Sequence, residues 1–250
     1  MDYVFFTGMG RSGTKFLTSL LGQIPKVHSV HEHIGSREFW LLSWYLPGTD
    51  YAIPYFERAK KQIEKEFGDG IFIDINGYLQ NSVPELKEVF KPVKVFHFVR
   101  NPKAVVRSYF TRRNDADIHL IPKTRQEIEN WMDNDKFYQV CWNWASTTNS
   151  LLDQNTDLII FEKVTTDYDY FKSQILQPLG LILSKEVWEK GVSTKVNKTQ
   201  SKTYRWLYAK IKGKPFVDEI LPAYNEWPDS YKKLFNEICG PAMKRCGYQI

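Results

Sequence analysis

The chain is short of several things, and each shortage removes a class of protein. Its 250 residues hold three cysteines, Cys141, Cys239 and Cys246, with no C-x-x-C pair. That argues against a zinc ribbon or a disulfide-stapled scaffold, and an odd, sparse count suits a reducing compartment, with one bridge left open. No run approaches the about 20 apolar residues of a membrane-spanning helix, so stable membrane insertion is not expected. The start, Met1-Asp2-Tyr3-Val4, lacks the basic and apolar regions of a secretory leader, and a cytoplasmic protein is the expectation. There is no long Lys/Arg block and no RNA-binding motif. The formal net charge of +5 is mild and suits a small anionic ligand better than nucleic acid. Internal repeats and low-complexity tracts are absent too.

What is present is ordinary for a folded protein: 42% hydrophobic and 25% charged residues, with a rich 15% of aromatics. The length predicts one domain over residues 1–250. Strands are expected at Tyr3–Thr7, Gly70–Ile75, Val93–Val99 and Leu158–Glu162, with a short extended run over Val27–His33. Helices are expected at Thr14–Leu21, Arg37–Trp44, Pro54–Phe67, Pro84–Phe90, Lys103 to about Arg113, Tyr168–Leu179 and Tyr231–Cys239. One or two more are expected in Gln126–Leu152. Pro102 is well placed at a first helical position, where its missing N–H is not needed. Asn114–Lys123 reads as a polar loop. Val192–Arg205, Lys-rich and without apolar periodicity, reads as a mobile loop or a ligand lid. Alternating β and α elements predict a three-layer α/β fold with a mainly parallel central sheet flanked by helices. Ligands of such sheets bind beyond the carboxyl ends of the strands.

The first such end is Phe6-Thr7-Gly8-Met9-Gly10-Arg11-Ser12-Gly13-Thr14-Lys15-Phe16. A strand, a glycine-rich loop and a helix start form a phosphate cradle, in which backbone N–H groups and the helix N-terminus face an anion. Arg11 and Lys15 bring positive charge, and Ser12 and Thr14 bring hydroxyls. The Walker pattern G-x-x-x-x-G-K-S/T is broken, because Thr14-Lys15 reverses the Lys-Thr order and misplaces the Mg²⁺-binding hydroxyl. The second end is Val99-Arg100-Asn101-Pro102. Ser108, eight residues beyond Arg100, lies about two turns into the next helix, and an Arg–Ser pair of this kind can clamp a second phosphate.

The two motifs together resemble the PAPS-dependent sulfotransferases, in their P-loop-like bacterial form. Gly10 through Leu17 matches the family's 5′-phosphosulfate loop, P/R-K/R-S-G-T-T/S-x-L. Val99 through Ser108 matches its 3′-phosphate motif, V-R-N/D-P-x-x-x-x-x-S. Ile160–Val164 with Pro178–Leu181 is a weaker match to Y-E-D-L…F-L-G-L, and Cys239-Gly240 through Gly247-Tyr248 is similar to the family's ending. Lys15 departs from the pattern, since many members carry Thr or Ser there.

The resemblance implies a P-loop-like fold and sulfuryl transfer from PAPS to a hydroxyl or amine acceptor, leaving PAP, without a metal. The expected acceptor is a small molecule, carbohydrate or lipid, with peptidyl tyrosine also open. Cofactor contacts fall to Gly10, Arg11, Ser12, Gly13, Thr14, Lys15 and Phe16 at the 5′ side and to Arg100 and Ser108 at the 3′-phosphate. Lys198, Ser201 and Lys202 are candidates from a late basic loop. Arg11 is assigned to the transferred and leaving groups, with Lys15 in support, and Glu32 to the general base. His31, His33 and Asp74 are rivals for that role. His97, inside a strand, reads as a core or strand-end residue. Trp40, Trp44 and Tyr45 are either acceptor-pocket or core aromatics. The spacing of His28, His31 and His33 fits no strong zinc signature. The alternatives are a P-loop kinase-like phosphotransferase and a non-catalytic nucleotide-binding protein.

Overall fold

The structure is a computed structural model that describes all residues except 49, 113–119, 195–201, 214–215, 217–219 and 250. In chain order its strands are β1 (Asp2–Thr7), β2 (Val27–His31), β3 (Ile71–Ile75), β4 (Val93–Val99) and β5 (Asp157–Ile160). Between β1 and β4 lie α1 (Thr14–Leu21), α2 (Arg37–Tyr45), α3 (Ala52–Phe67) and α4 (Val83–Val89). After β4 come α5 (Pro102–Arg112), α6 (Arg125–Asp133) and α7 (Lys136–Asp153). Beyond β5 are α8 (Phe161–Thr166), α9 (Tyr168–Phe171), α10 (Lys185–Ser193), α11 (Lys202–Ile211) and α12 (Asp229–Arg245).

The chain divides into two compact units, Met1–Arg100 with Thr147–Thr194, and Asn101–Ser146 with Lys195–Ile250. The first holds a five-stranded parallel sheet in the order β2-β3-β1-β4-β5. Period-2 alternation splits β1 between two cores. Val4 and Phe6 pack with Leu17, Leu20 and Leu21 of α1 and with Trp188 of α10. Tyr3 and Phe5 pack with Phe56 and Ile63 of α3 and Leu86 of α4. Both faces are thus covered, as an all-parallel sheet requires. The chain leaves β1 for the edge at β2, returns through β3, and crosses to β4. That reversal opens a crevice beyond the carboxyl end of β1.

The second unit contains α5, α6, α11, α12 and α7 as far as Ser146. Its centre is aromatic: Phe137 stacks on Tyr231 at 4.0 Å and meets Trp227 edge-on at 5.2 Å. Cys141, Cys239 and Cys246 are free and buried.

Most expected elements stand within two residues of their forecast bounds. Four differ. Leu158–Glu162 does not stay extended through Glu162; β5 stops at Ile160 and α8 begins at Phe161. Tyr168–Leu179 is not one helix. A wide turn over Lys172–Leu176 and a tight one over Gln177–Leu179 replace it, because Pro178 offers no N–H to a regular ladder. The last helix does not stop at Cys239. It runs through Gly240 and Pro241 because Cys239, Gly240, Ala242 and Met243 are all buried on both sides of the proline. Val192–Arg205 is not wholly irregular, since α10 reaches Ser193 and α11 starts at Lys202; residues 195–201 lie outside those described. The polar loop forecast at Asn114–Lys123 falls largely outside them as well.

Candidate active site

The β1–α1 loop takes its shape from places where no side chain fits. A Cβ on Gly8 would stand 2.3 Å from the Phe98 carbonyl oxygen. A Cβ on Gly13 would stand 2.2 Å from the Phe161 ring, and Gly13 has φ 91°, where L-residues are strained. Gly13 caps α1 without a side-chain hydrogen bond, and the first turn carries no acid. The N–H groups that start a helix therefore face the loop without a competing carboxylate. Arg11 takes φ 71° in the same turn. Ser12 is buried, Gly10, Arg11, Thr14 and Phe16 are half-buried, and Lys15 is exposed.

Arg100, at the end of β4, reaches this loop. Its Nη1 donates to the Arg11 carbonyl at 3.2 Å, and its guanidinium lies 4.6 Å from the Phe161 ring centroid. Phe161 meets Phe16 and Phe98 edge-on, each at 6.0 Å. The two motifs read from the sequence thus meet: the strand-end arginine of one supports the backbone of the other.

A second turn follows the edge strand β2. Glu32 takes φ 53° there, and its N–H donates to the Ile75 carbonyl at 3.3 Å. The next two N–H groups, of His33 and Ile34, donate to the Asp74 carboxylate at 3.2 and 3.1 Å. Asn76 Nδ2 donates to the same carboxylate at 2.9 Å and also to the Ile34 carbonyl. The Asn76 N–H donates to Phe6 at 2.7 Å, tying the turn to β1. Burial pushes the Asp74 carboxyl up to about 6, against the pull of Asn76 and of the Ile34 and His33 N–H groups. Asp74, fully buried and saturated by these donors, braces the Glu32 turn and offers no route to an acceptor.

His31 joins the two turns. Its Nε2 lies 2.9 Å from Thr14 Oγ1 and its Nδ1 3.7 Å from Glu32 Oε2. Burial pushes His31 below the ordinary imidazole value; Glu32 pulls it up and Lys15 pushes it down. A neutral ring with its proton on Nδ1 satisfies both neighbours, accepting the Thr14 hydroxyl and facing the carboxylate. Thr14, Lys15, His31 and Glu32 are therefore one cluster.

Other expected residues fall elsewhere. Ser108 lies on α5 in the second unit. Lys198 and Ser201 lie outside the described residues, and Lys202 opens α11. His33 Nε2 faces Glu66 at 3.6 Å and His28 faces the Asp69 carbonyl at 3.0 Å, so the three histidines diverge. Among the described residues no group of three or more His, Cys, Asp or Glu is placed to hold a metal. His97 is buried, and burial alone pushes it down to about 3. On α2 the buried side chains are Phe39 and Ser43; Trp40 and Trp44 are half-buried and Tyr45 exposed. None of the three is fully buried, and Trp40 packs against Tyr78 at 6.5 Å. Phe161 and the bracing role of Asp74 and Asn76 escaped the sequence reading. A lone acid in the apolar run Ile71–Ile75 was the available signal.

Fold and loop define a P-loop-like α/β protein whose central strand ends in a glycine-rich loop at a helix N-terminus. The model of the sulfotransferase domain matches residues 1–219, and the chain belongs to that family of transferases. Solved structures agree in fold. The sulfotransferase domain from the curacin biosynthetic pathway is 12% identical with a TM-score of 0.55, the match covering 100% of this chain and 98% of that one. The sulfotransferase domain from the Synechococcus PCC 7002 olefin synthase is 14% identical, also with TM-score 0.55, over 100% and 96%. Mouse sulfotransferase SULT7A1, complexed with PAP, is 16% identical with TM-score 0.50, over 97% and 85%. No curated protein sequence matches the chain.

Proposed function

We propose that the protein, as a single domain over residues 1–250, transfers a sulfuryl group from PAPS to a hydroxyl or amine of a small-molecule, carbohydrate or lipid acceptor. The cradle suits a phosphosulfate: it offers helix N–H groups without a side-chain cap, two glycines where a Cβ would collide, and Arg11 and Lys15 for charge. PAPS supplies the sulfuryl group, which forms a bond to the acceptor atom as the bond from sulfur to the 5′-phosphate oxygen breaks. Gly10 through Phe16 hold the 5′ end. Arg11 stabilises charge on the transferred and leaving groups, with Lys15 in support. Glu32 takes the acceptor proton. Arg100 and Ser108 hold the 3′-phosphate, and Lys198, Ser201 and Lys202 close on the nucleotide.

One observation carries this reading. Arg11 and Glu32, the two residues given the leading chemical roles, both hold left-handed backbone conformations, at φ 71° and 53°, as do Lys26 and Asn155 outside the site. A non-glycine residue kept there costs about 1–3 kcal/mol and is over-represented at functional sites. The His31 link from Thr14 to Glu32 supports the choice of base, because it occupies the imidazole and sets the carboxylate beside the loop.

Calorimetry with PAP, and with ATP plus Mg²⁺, tests the donor. PAP is expected to bind without metal and ATP not to bind; the reverse result makes the protein a kinase-like phosphotransferase. Transfer of labelled sulfate from PAPS, screened over acceptor classes, then tests the base. Glu32→Gln is expected to lower kcat by about 10²–10⁴-fold with PAP affinity unchanged. Undiminished turnover would reassign the proton to another group.

A further inference from the structure

Helix α11 turns its apolar side to water. At 3.6 residues per turn Tyr204, Leu207, Tyr208 and Ile211 share one face, in the i, i+3, i+4, i+7 pattern that usually seeks a core. Here they are 50%, 48%, 50% and 71% exposed. Among the described side chains of the helix only Ala209 is buried. The Tyr204 and Tyr208 rings lie nearly parallel, 6.5 Å apart, so the face is broad and flat. Trp206 is also exposed, with Lys210 Nζ 5.1 Å from its ring.

The charge of the sequence around this helix is one-sided. Between Glu189 and Asp218 the sequence has eight Lys or Arg and no Asp or Glu. The chain's net charge is +5, so everything outside that stretch sums to 5 − 8 = −3. Lys210 and Lys212, on and just after the helix, are exposed.

An exposed apolar stripe among cations narrows the occupant. A nucleic acid would use the charge but leave Leu207 and Ile211 in water. A second copy of the chain would set like charges against each other across a two-fold contact. A nucleotide needs a few cations and no four-residue apolar face. An anionic bilayer uses both features, since lipid phosphates take the lysines and the acyl boundary takes the apolar side chains. No helix among the described residues is long and apolar enough to span a membrane; a helix of about 15 Å lies on the surface instead. We propose that α11 docks the protein on an anionic lipid surface, with Tyr204, Leu207, Tyr208 and Ile211 in the headgroup–acyl boundary and Lys210 and Lys212 among the phosphates. The proposal does not depend on the sulfuryl-transfer reading.

Co-sedimentation with vesicles tests it, using pure phosphatidylcholine and phosphatidylcholine mixed with phosphatidylserine. Binding is expected to the mixed vesicles only, and to fall in molar salt, where the screening length drops to about 3 Å. Replacing Leu207→Ser with Ile211→Ser lowers partitioning by about tenfold or more. Lys210→Gln and Lys212→Gln each lower it by about fivefold. All four positions are exposed, so the melting temperature stays at the wild-type value. No binding to the mixed vesicles, equal binding to both, or full retention by the serine variant would overturn the proposal. So would a dimer in light scattering that the serine variant dissolves, or oligonucleotide binding that outcompetes the vesicles and ignores the serine changes.

Discussion

Two turns carry the residues given chemical roles, and they hold their shape by opposite means. The turn after β1 is shaped by missing side chains: Gly8 lies against the Phe98 carbonyl and Gly13 against the Phe161 ring. The turn after β2 has no such collision. It is fixed by added hydrogen bonds, two backbone N–H groups on the Asp74 carboxylate and Asn76 closing the ring to Ile34. Both contain a non-glycine residue at positive φ. Steric exclusion gives a rigid cradle that does not depend on pH. A hydrogen-bonded brace on a buried acid ties the second turn to a titration. On the proposed roles, the contrast separates donor holding from proton removal, with His31 the described side-chain link between the two turns.

The largest effect is expected from Gly8→Ala. The new methyl would meet backbone, which cannot swing aside as a side chain can. A loss of about 3 kcal/mol of stability is expected, read by urea denaturation, together with loss of PAP binding. Tolerance of alanine there would mean that β1 and β4 can part, and that the first turn is not set by exclusion.

Asp74→Asn comes next and addresses the second turn. An amide in place of the carboxylate leaves a buried N–H without its acceptor, at about 1–3 kcal/mol. About tenfold is expected off kcat, with PAP affinity unchanged; equal loss of both would show the turns to be one unit. The pH dependence has a definite sign. Because burial raises the Asp74 carboxyl from 3.8 to about 6, the folded state binds its proton more tightly than the unfolded state. Its contribution is full below about pH 4 and lost as pH rises through about 6, worth roughly 3 kcal/mol at most. Relative to Asp74→Asn, the wild type therefore loses stability between pH 4 and 7. His97, pushed down to about 3, slopes the other way in both proteins and cancels in the difference.

The smallest effect is expected from Lys15→Thr, which gives the cradle the hydroxyl more usual at that place. Lys15 is exposed, and a screened surface charge is worth little. A change of about threefold or less in kcat/KM is expected. A hundredfold loss would make Lys15 a principal rather than a supporting charge at the transferred group.

The sequence made the cradle legible because its elements are local. A β-branched and aromatic run, glycines, a cation and an amphipathic helix follow one another within Tyr3–Leu21, and the helix bounds came out as forecast. Arg100 was legible for the same reason, standing between a strand and a proline. The Glu32 brace was not legible, because its partners are about 40 residues apart in sequence and meet only when β2 pairs with β3. Nor was α10, which one buried tryptophan anchors, although Ser184, whose side chain accepts from the Val187 N–H, marked its start. The persistence of α12 through Pro241 depended on burial that local propensity cannot report.

The bond from Arg100 to the Arg11 carbonyl has a thermodynamic consequence. Whatever draws on that guanidinium also draws on the loop it holds. Linkage makes such an influence mutual: filling the cradle alters the arginine's affinity for a second anion by the same factor that the second anion alters the cradle's. On the proposed assignment of Arg100 to the 3′-phosphate, the two ends of the donor are therefore coupled, favourably where the bond to the Arg11 carbonyl is kept and unfavourably where it is given up. On the same assignment, a donor stripped of its second charge loses that coupling together with the direct contact.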